Sequence, residues 1–234
     1  MNHLDAGMLR AARPTTRLVV AAHAGDEALG CGGMLAKHCD DSALVILADL
    51  DEERTARFRT AQHMLGEPMR MLLDLPRLRV GDDTDRLVGK LSELLARLRP
   101  SELYLPFPSQ QQDRLVAYEA GLRAICVPAA REALPSLSVL LYDVGASDVG
   151  DYPADVHWNV CEPLREEDLA RKIAAAIAYR SPLARNVRTS AQTIGAARGV
   201  RWAEQFAMVR AAGRTGGRHA APLERGAVLV GGQR

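Results

Sequence analysis

The stretch Leu18-Val-Val-Ala-Ala-His23-Ala-Gly25-Asp26-Glu27-Ala-Leu-Gly30-Cys-Gly32-Gly33 decides how this chain is read. An apolar, β-rich run ends in a histidine, an acidic pair follows within four residues, and a glycine-rich helix start closes the unit. A strand feeding straight into a helix puts His23 and Asp26 at the carboxyl end of a buried strand, where open α/β sheets place their ligands. Outward from this unit the alternation continues. Residues 43–50, 69–73, 102–105, 137–144 and 156–160 read as further strands, beside 17–23. Residues 27–38, 52–65, 84–98, 113–127 and 166–179 read as helices, and 191–211 as helical too. The helix over 84–98 is the plainest, with Leu87, Leu91, Leu94, Leu95 and Leu98 at three- and four-residue spacings before Pro100. Strands alternating with helices imply βαβ units with right-handed crossovers, hence an α/β, Rossmann-like three-layer fold with a mainly parallel sheet. One domain is expected over 1–212, with a flexible basic tail over 213–234.

Composition narrows the function classes. The chain has 234 residues, 47% of them hydrophobic, enough for one sizeable core. A net charge of +1 gives no global reason to expect nucleic acid or an anionic membrane as partner. From residue 198 to 234 there are seven Arg and two acids, so that tail carries about +5 and the remainder about −4. Cys31, Cys39, Cys126 and Cys161 form no Cys-x-x-Cys pair, and Cys31 and Cys161 read as buried thiols. Residues 1–16 hold Asp5 and no apolar core, and no run approaches the ~18 apolar residues of a membrane helix, so a soluble cytoplasmic protein is expected.

A strand-end imidazole and a carboxylate three residues later can converge on one cation, and zinc accepts both. Two ligands make a poor zinc site, so a third must come from elsewhere. The local alternative is that His23 hydrogen-bonds nearby and Asp26 caps the following helix. Gly30-Cys-Gly32-Gly33 lacks the full dinucleotide pattern and reads as small residues for close helix–sheet packing. His38 and His63 are expected at the surface, His157 in a packed or hydrogen-bonded role, and Asp82, Asp83 and Asp85 at a helix start.

Four separated motifs, in order over residues 17–206, resemble those of the PIG-L/LmbE family of zinc-dependent N-deacetylases. His23-Ala24-Gly25-Asp26-Glu27 is similar to its His-Pro-Asp-Asp-Glu signature. Leu103-Tyr104-Leu105-Pro106 leads into Ser109-Gln110-Gln111-Gln112-Asp113-Arg114, where the family has Asp-x-His-Pro-Asp-His. Lys172 through Tyr179-Arg180-Ser181, and Arg198-Gly199 through Trp202-Ala203-Glu204-Gln205-Phe206, resemble the family's two later motifs.

That resemblance implies a deacetylase fold and a damaged centre. The family's general base falls at Gly25, its metal ligands at His23, Asp26 and Arg114, and its acidic histidine at Gln111. Asp113 is the retained orienting aspartate, with no imidazole left to orient. A guanidinium keeps its proton and offers zinc no lone pair. Arg114 is therefore expected either to replace the metal's charge by pairing with Asp26, or to point to solvent from a helix start. The implied reading is a degenerate member without zinc hydrolysis, binding an amino-sugar-like molecule or a protein partner, with no nucleic acid and no membrane insertion. No cofactor is expected, zinc requiring a replacement ligand such as His157 or Glu27. The rival is an active N-deacetylase with altered metal ligation.

Overall fold

The computed structural model describes residues 14–76, 79–109, 111–134, 136–144 and 156–212, so the tail expected over 213–234 lies outside the described residues. Among the described residues seven strands form one sheet: β1 (Arg17–Ala21), β2 (Ser42–Ala48), β3 (Met69–Leu75), β4 (Glu102–Pro106), β5 (Ser138–Tyr142), β6 (Val160–Pro163) and β7 (Ala203–Arg210). Their order across the sheet is β3-β2-β1-β4-β5-β7-β6. The first five pair in parallel, while β7 runs antiparallel to both β5 and β6. The helices are α1 (Asp26–Lys37), α2 (Glu52–Met64), α3 (Thr84–Leu98), α4 (Gln112–Ala124), α5 (Pro128–Ala133), α6 (Glu166–Ala178) and α7 (Val187–Ala196).

β2 is buried along its whole length, which its unbroken Ala-Leu-Val-Ile-Leu-Ala run requires of a strand covered on both faces. Alternate residues then divide between two cores. Leu18, Val20, Val45 and Leu47 pack with Leu87, Leu91 and Leu95 of α3 and Ala117 and Ala120 of α4. Val19, Ala21, Leu44 and Ile46 pack with Cys31, Met34 and Leu35 of α1, Phe58 of α2 and Ala175 of α6. The strand order reverses between the neighbouring strands β1 and β4, so the crevice beyond their carboxyl ends is the fold's natural ligand position.

Two expectations fail near the C-terminus. Residues 191–211 are not one helix: α7 ends at Ala196, Gly199 turns with φ +71°, and 203–210 is the strand β7. β7 fills the slot between β5 and β6, and sheet pairing there outweighs the helical composition of Ala203–Arg210. Residues 156–159 are not strand either, β6 starting only at Val160. There the Asn159 side chain, not the backbone, accepts from Met208 N–H at 2.9 Å, and Trp158 C=O accepts from Arg198 at 2.6 Å. The helix read over 113–127 ends at Ala124, and a separate helix, α5, follows with Pro128 in its first turn.

The glycines of α1 are there for close approach. A Cβ on Gly30 would lie 2.1 Å from the Tyr142 ring, whose hydroxyl donates to Val20 C=O at 2.9 Å. One on Gly32 would meet the Lys172 stem, and one on Gly33 would meet Leu164. Gly30→Ala should therefore destabilise the protein by roughly 2–3 kcal/mol through overpacking. Gly89→Ala, in the exposed middle of α3 with nothing within 4 Å, should stabilise it by roughly 0.5–1 kcal/mol. Urea denaturation of both variants checks the pair.

Candidate functional site at the carboxyl ends of β1 and β4

Two residues past β1 the chain turns at His23 and enters α1. Asp26 N–H donates to His23 C=O at 3.2 Å, and Gly25 caps the helix with φ +108°, a left-handed conformation that strains any other residue. Asp26 is thus inside the first turn of α1 and is not its N-cap. Its carboxylate instead accepts from His23 N–H at 3.3 Å.

The first turn of α4 delivers the other half of the site. Arg114 Nη2 donates to Asp26 Oδ1 at 2.8 Å, and Nε donates to Oδ2 at 3.3 Å, a two-pronged pair. The Asp26 side chain is 6% exposed and that of Arg114 14%. Arg114 therefore turns inward and does not point to solvent. Asp113, fully buried, places Oδ2 2.7 Å from His23 Nε2 and accepts from Val80 N–H through Oδ1 at 3.2 Å. This corrects the reading that Asp113 has no imidazole to orient: it holds His23. The other ring nitrogen, Nδ1, lies 2.9 Å from Gln111 Nε2. An amide nitrogen only donates, so Nδ1 accepts and Nε2 carries the proton given to Asp113. Gln111 Oε1 is left buried with no partner among the described residues.

These pairings settle how the residues suit a zinc ion. A metal would need the His23 Nδ1 lone pair and an Asp26 oxygen, and N–H donors from Gln111 and Arg114 cover both. A guanidinium beside a dication would add repulsion. Among the described residues no group of three or more His, Cys, Asp or Glu could hold a metal. Neither His157 nor Glu27 belongs to such a group among the described residues, and the Glu27 oxygens are already taken by Gly25, Gln62 and Tyr179. The residues present do not fit the ion.

Glu27 is the residue whose role the sequence concealed. Wholly buried, it accepts from Gly25 N–H at 2.7 Å, Tyr179 hydroxyl at 2.5 Å and Gln62 Nε2 at 3.0 Å, fixing the turn between His23 and α1. Burial pushes its carboxyl up to about 7, against the pull of the Tyr179 and Gly25 hydrogen bonds. The same burial, with the Glu27 charge beside it, pushes the Tyr179 phenol well above its ordinary range. Tyr179 stood in a recognised motif, but its pairing across 152 residues depends on α6 packing against α1 and α2.

The remaining candidates lie apart. His38 is half-buried 3.3 Å from Glu162, and His63 is exposed beside Glu67. Asp83 caps α3 by accepting from Arg86 N–H. Cys31 and Cys161 are buried free thiols.

No family model matches the chain, and no curated protein does. Solved structures do. A conserved protein from Thermus thermophilus superposes with a TM-score of 0.70 at 23% identity, over 88% of this chain and 100% of that one. The N,N'-diacetylchitobiose deacetylase from Pyrococcus horikoshii gives 0.65 at 16%, over 83% and 84%. The 4-carboxy-2-hydroxymuconate hydratase from Pseudomonas putida gives 0.64 at 14%, over 88% and 100%. These likenesses establish a three-layer fold of the deacetylase type, one that also carries a hydratase.

Two outcomes follow from the site. Arg114→Ala strands the buried Asp26 carboxylate and should lower stability by roughly 3 kcal/mol, with Asp26→Asn in the same chain recovering much of the loss. A change within about 0.5 kcal/mol in guanidinium denaturation would show the pair to be idle. Glu27 titrates near 7 when folded and near 4.5 when unfolded, so between those values the native state holds the extra proton. Its stabilising effect is complete below about pH 4.5 and is lost as pH rises through about 7. Glu27→Gln should flatten that decline, worth roughly 3 kcal/mol, in unfolding curves taken from pH 4.5 to 8.

Proposed function

We propose that this chain is a PIG-L/LmbE-type protein that has lost zinc-dependent N-deacetylation and keeps its crevice for an amino-sugar-like ligand or a protein partner. The observation that carries the reading is the Arg114 guanidinium on Asp26, where a metal cation would otherwise balance that carboxylate. The likeness to a deacetylase from Pyrococcus horikoshii supports the ancestry, and the order of the four motifs supports it independently.

Magnitudes favour loss over modification. A general acid or base is worth about 10²–10⁴ in rate, and metal polarisation several kcal/mol more. Gly25 supplies no base, and Gln111 cannot protonate a leaving amine at the place where it sits. Restoring a carboxylate at position 25 meets backbone strain, because φ there is +108°. An active hydrolase with altered ligation would need a donor set that the described residues do not gather.

Zinc content decides the matter. Untagged protein equilibrated with a slight excess of zinc and then desalted should retain none, and should release no acetate from N-acetylated amino sugars. One firmly held zinc per chain, with acetate release, would overturn the reading.

A further inference from the structure

Lys172 and Glu204 are where the two later sequence motifs meet, and the His23 centre uses neither. Glu204 is buried and accepts from Gly33 N–H and Met34 N–H at 2.7 Å each and from Lys172 Nζ at 2.6 Å. Its charge is thus answered three times. Lys172 is differently placed: its side chain is 9% exposed, and of its three donors one goes to Glu204 while no other acceptor reaches it among the described residues. Buried donors in native proteins find acceptors. Beside this pair lies a cavity of about 150 Å³, lined by both residues and by none of His23, Asp26, Gln111, Asp113 or Arg114.

We propose that this cavity is a second binding site, taking a small neutral ring compound that presents a carbonyl or hydroxyl oxygen to Lys172. Size sets the first term, since a cavity of this volume accommodates a molecule of about benzene size. The walls set the second: Val144, Leu183, Val187 and Ile194 offer apolar surface to a ring. Charge sets the third. Glu204 already neutralises Lys172, so an anion would lose its hydration without meeting a net positive charge, while a neutral oxygen still gains the spare ammonium donors. The site is independent of whether the His23 centre holds zinc.

The test uses the full chain, isotope-labelled for amide NMR, titrated with 2-piperidone, a six-membered neutral lactam. Saturable shifts of amides around Ala191 and Gln205, with millimolar affinity, are expected. Benzoate, similar in size but anionic, should bind about tenfold more weakly or worse. Ser190→Phe fills the mouth from an exposed position and should weaken 2-piperidone about tenfold with an unchanged melting temperature. Lys172→Met should do the same by removing the donors; if that variant fails to fold, Ser190→Phe still decides. Shifts that never saturate, that persist in Ser190→Phe, or that benzoate matches would each overturn the proposal.

Discussion

A carboxylate on the first turn of a buried helix must be balanced, and the pairing of Asp26 with Arg114 is the constraint around which this end of the molecule is arranged. The positive end of α1 favours Asp26 only in part, because a helix terminus offers about half a charge. The first turn of α4, by the same rule, is a poor place for a guanidinium. Arg114 sits there nonetheless, and the carboxylates of Asp26 and Asp113 nearby make it tolerable. The pair joins the β1–α1 turn to the β4–α4 turn, across the point where the strand order reverses. It therefore ties together the two segments that in an open α/β sheet flank the ligand crevice.

The other contacts follow from that closure. With the start of α4 held at the start of α1 across the ends of β1 and β4, Asp113 reaches His23 Nε2 and Gln111 reaches Nδ1, so the imidazole is held from both sides. Asp113 also takes the Val80 amide, adding the turn before α3 to the assembly. A network in which most of the polar groups face an internal partner resists exchange of an external ligand at the same atoms. One group does not fit it, the buried Gln111 Oε1, and that is where water or a ligand oxygen-bound donor would most readily enter.

How much of this the sequence disclosed depends on the range of the interaction. β1, β2 and β4 and the helix Thr84–Leu98 were legible because their periodicity is local and their burial one-sided or complete. The strand Ala203–Arg210 was not, because its residues suit a helix equally well and only the gap between β5 and β6 makes a strand of them. In the site, His23, Asp26 and Arg114 could be singled out by position within motifs. The hydrogen bond from Asp113 to His23, and the Glu27–Tyr179–Gln62 cluster, depend on where separate elements place their side chains in space.

Why position 114 carries an arginine follows from where the fold's own stability resides. Gly30 against Tyr142, Glu27 beneath Gly25, and Lys172 with Glu204 under α1 all hold the layers together without touching the cluster of His23, Gln111 and Asp113. Substitutions in that cluster leave those supports in place. Asp26 differs, because its ionised carboxylate is nearly sealed from water and cannot be left unanswered. A neutral side chain at 114 would strand that charge. A guanidinium, permanently charged and two-pronged, answers it in one step.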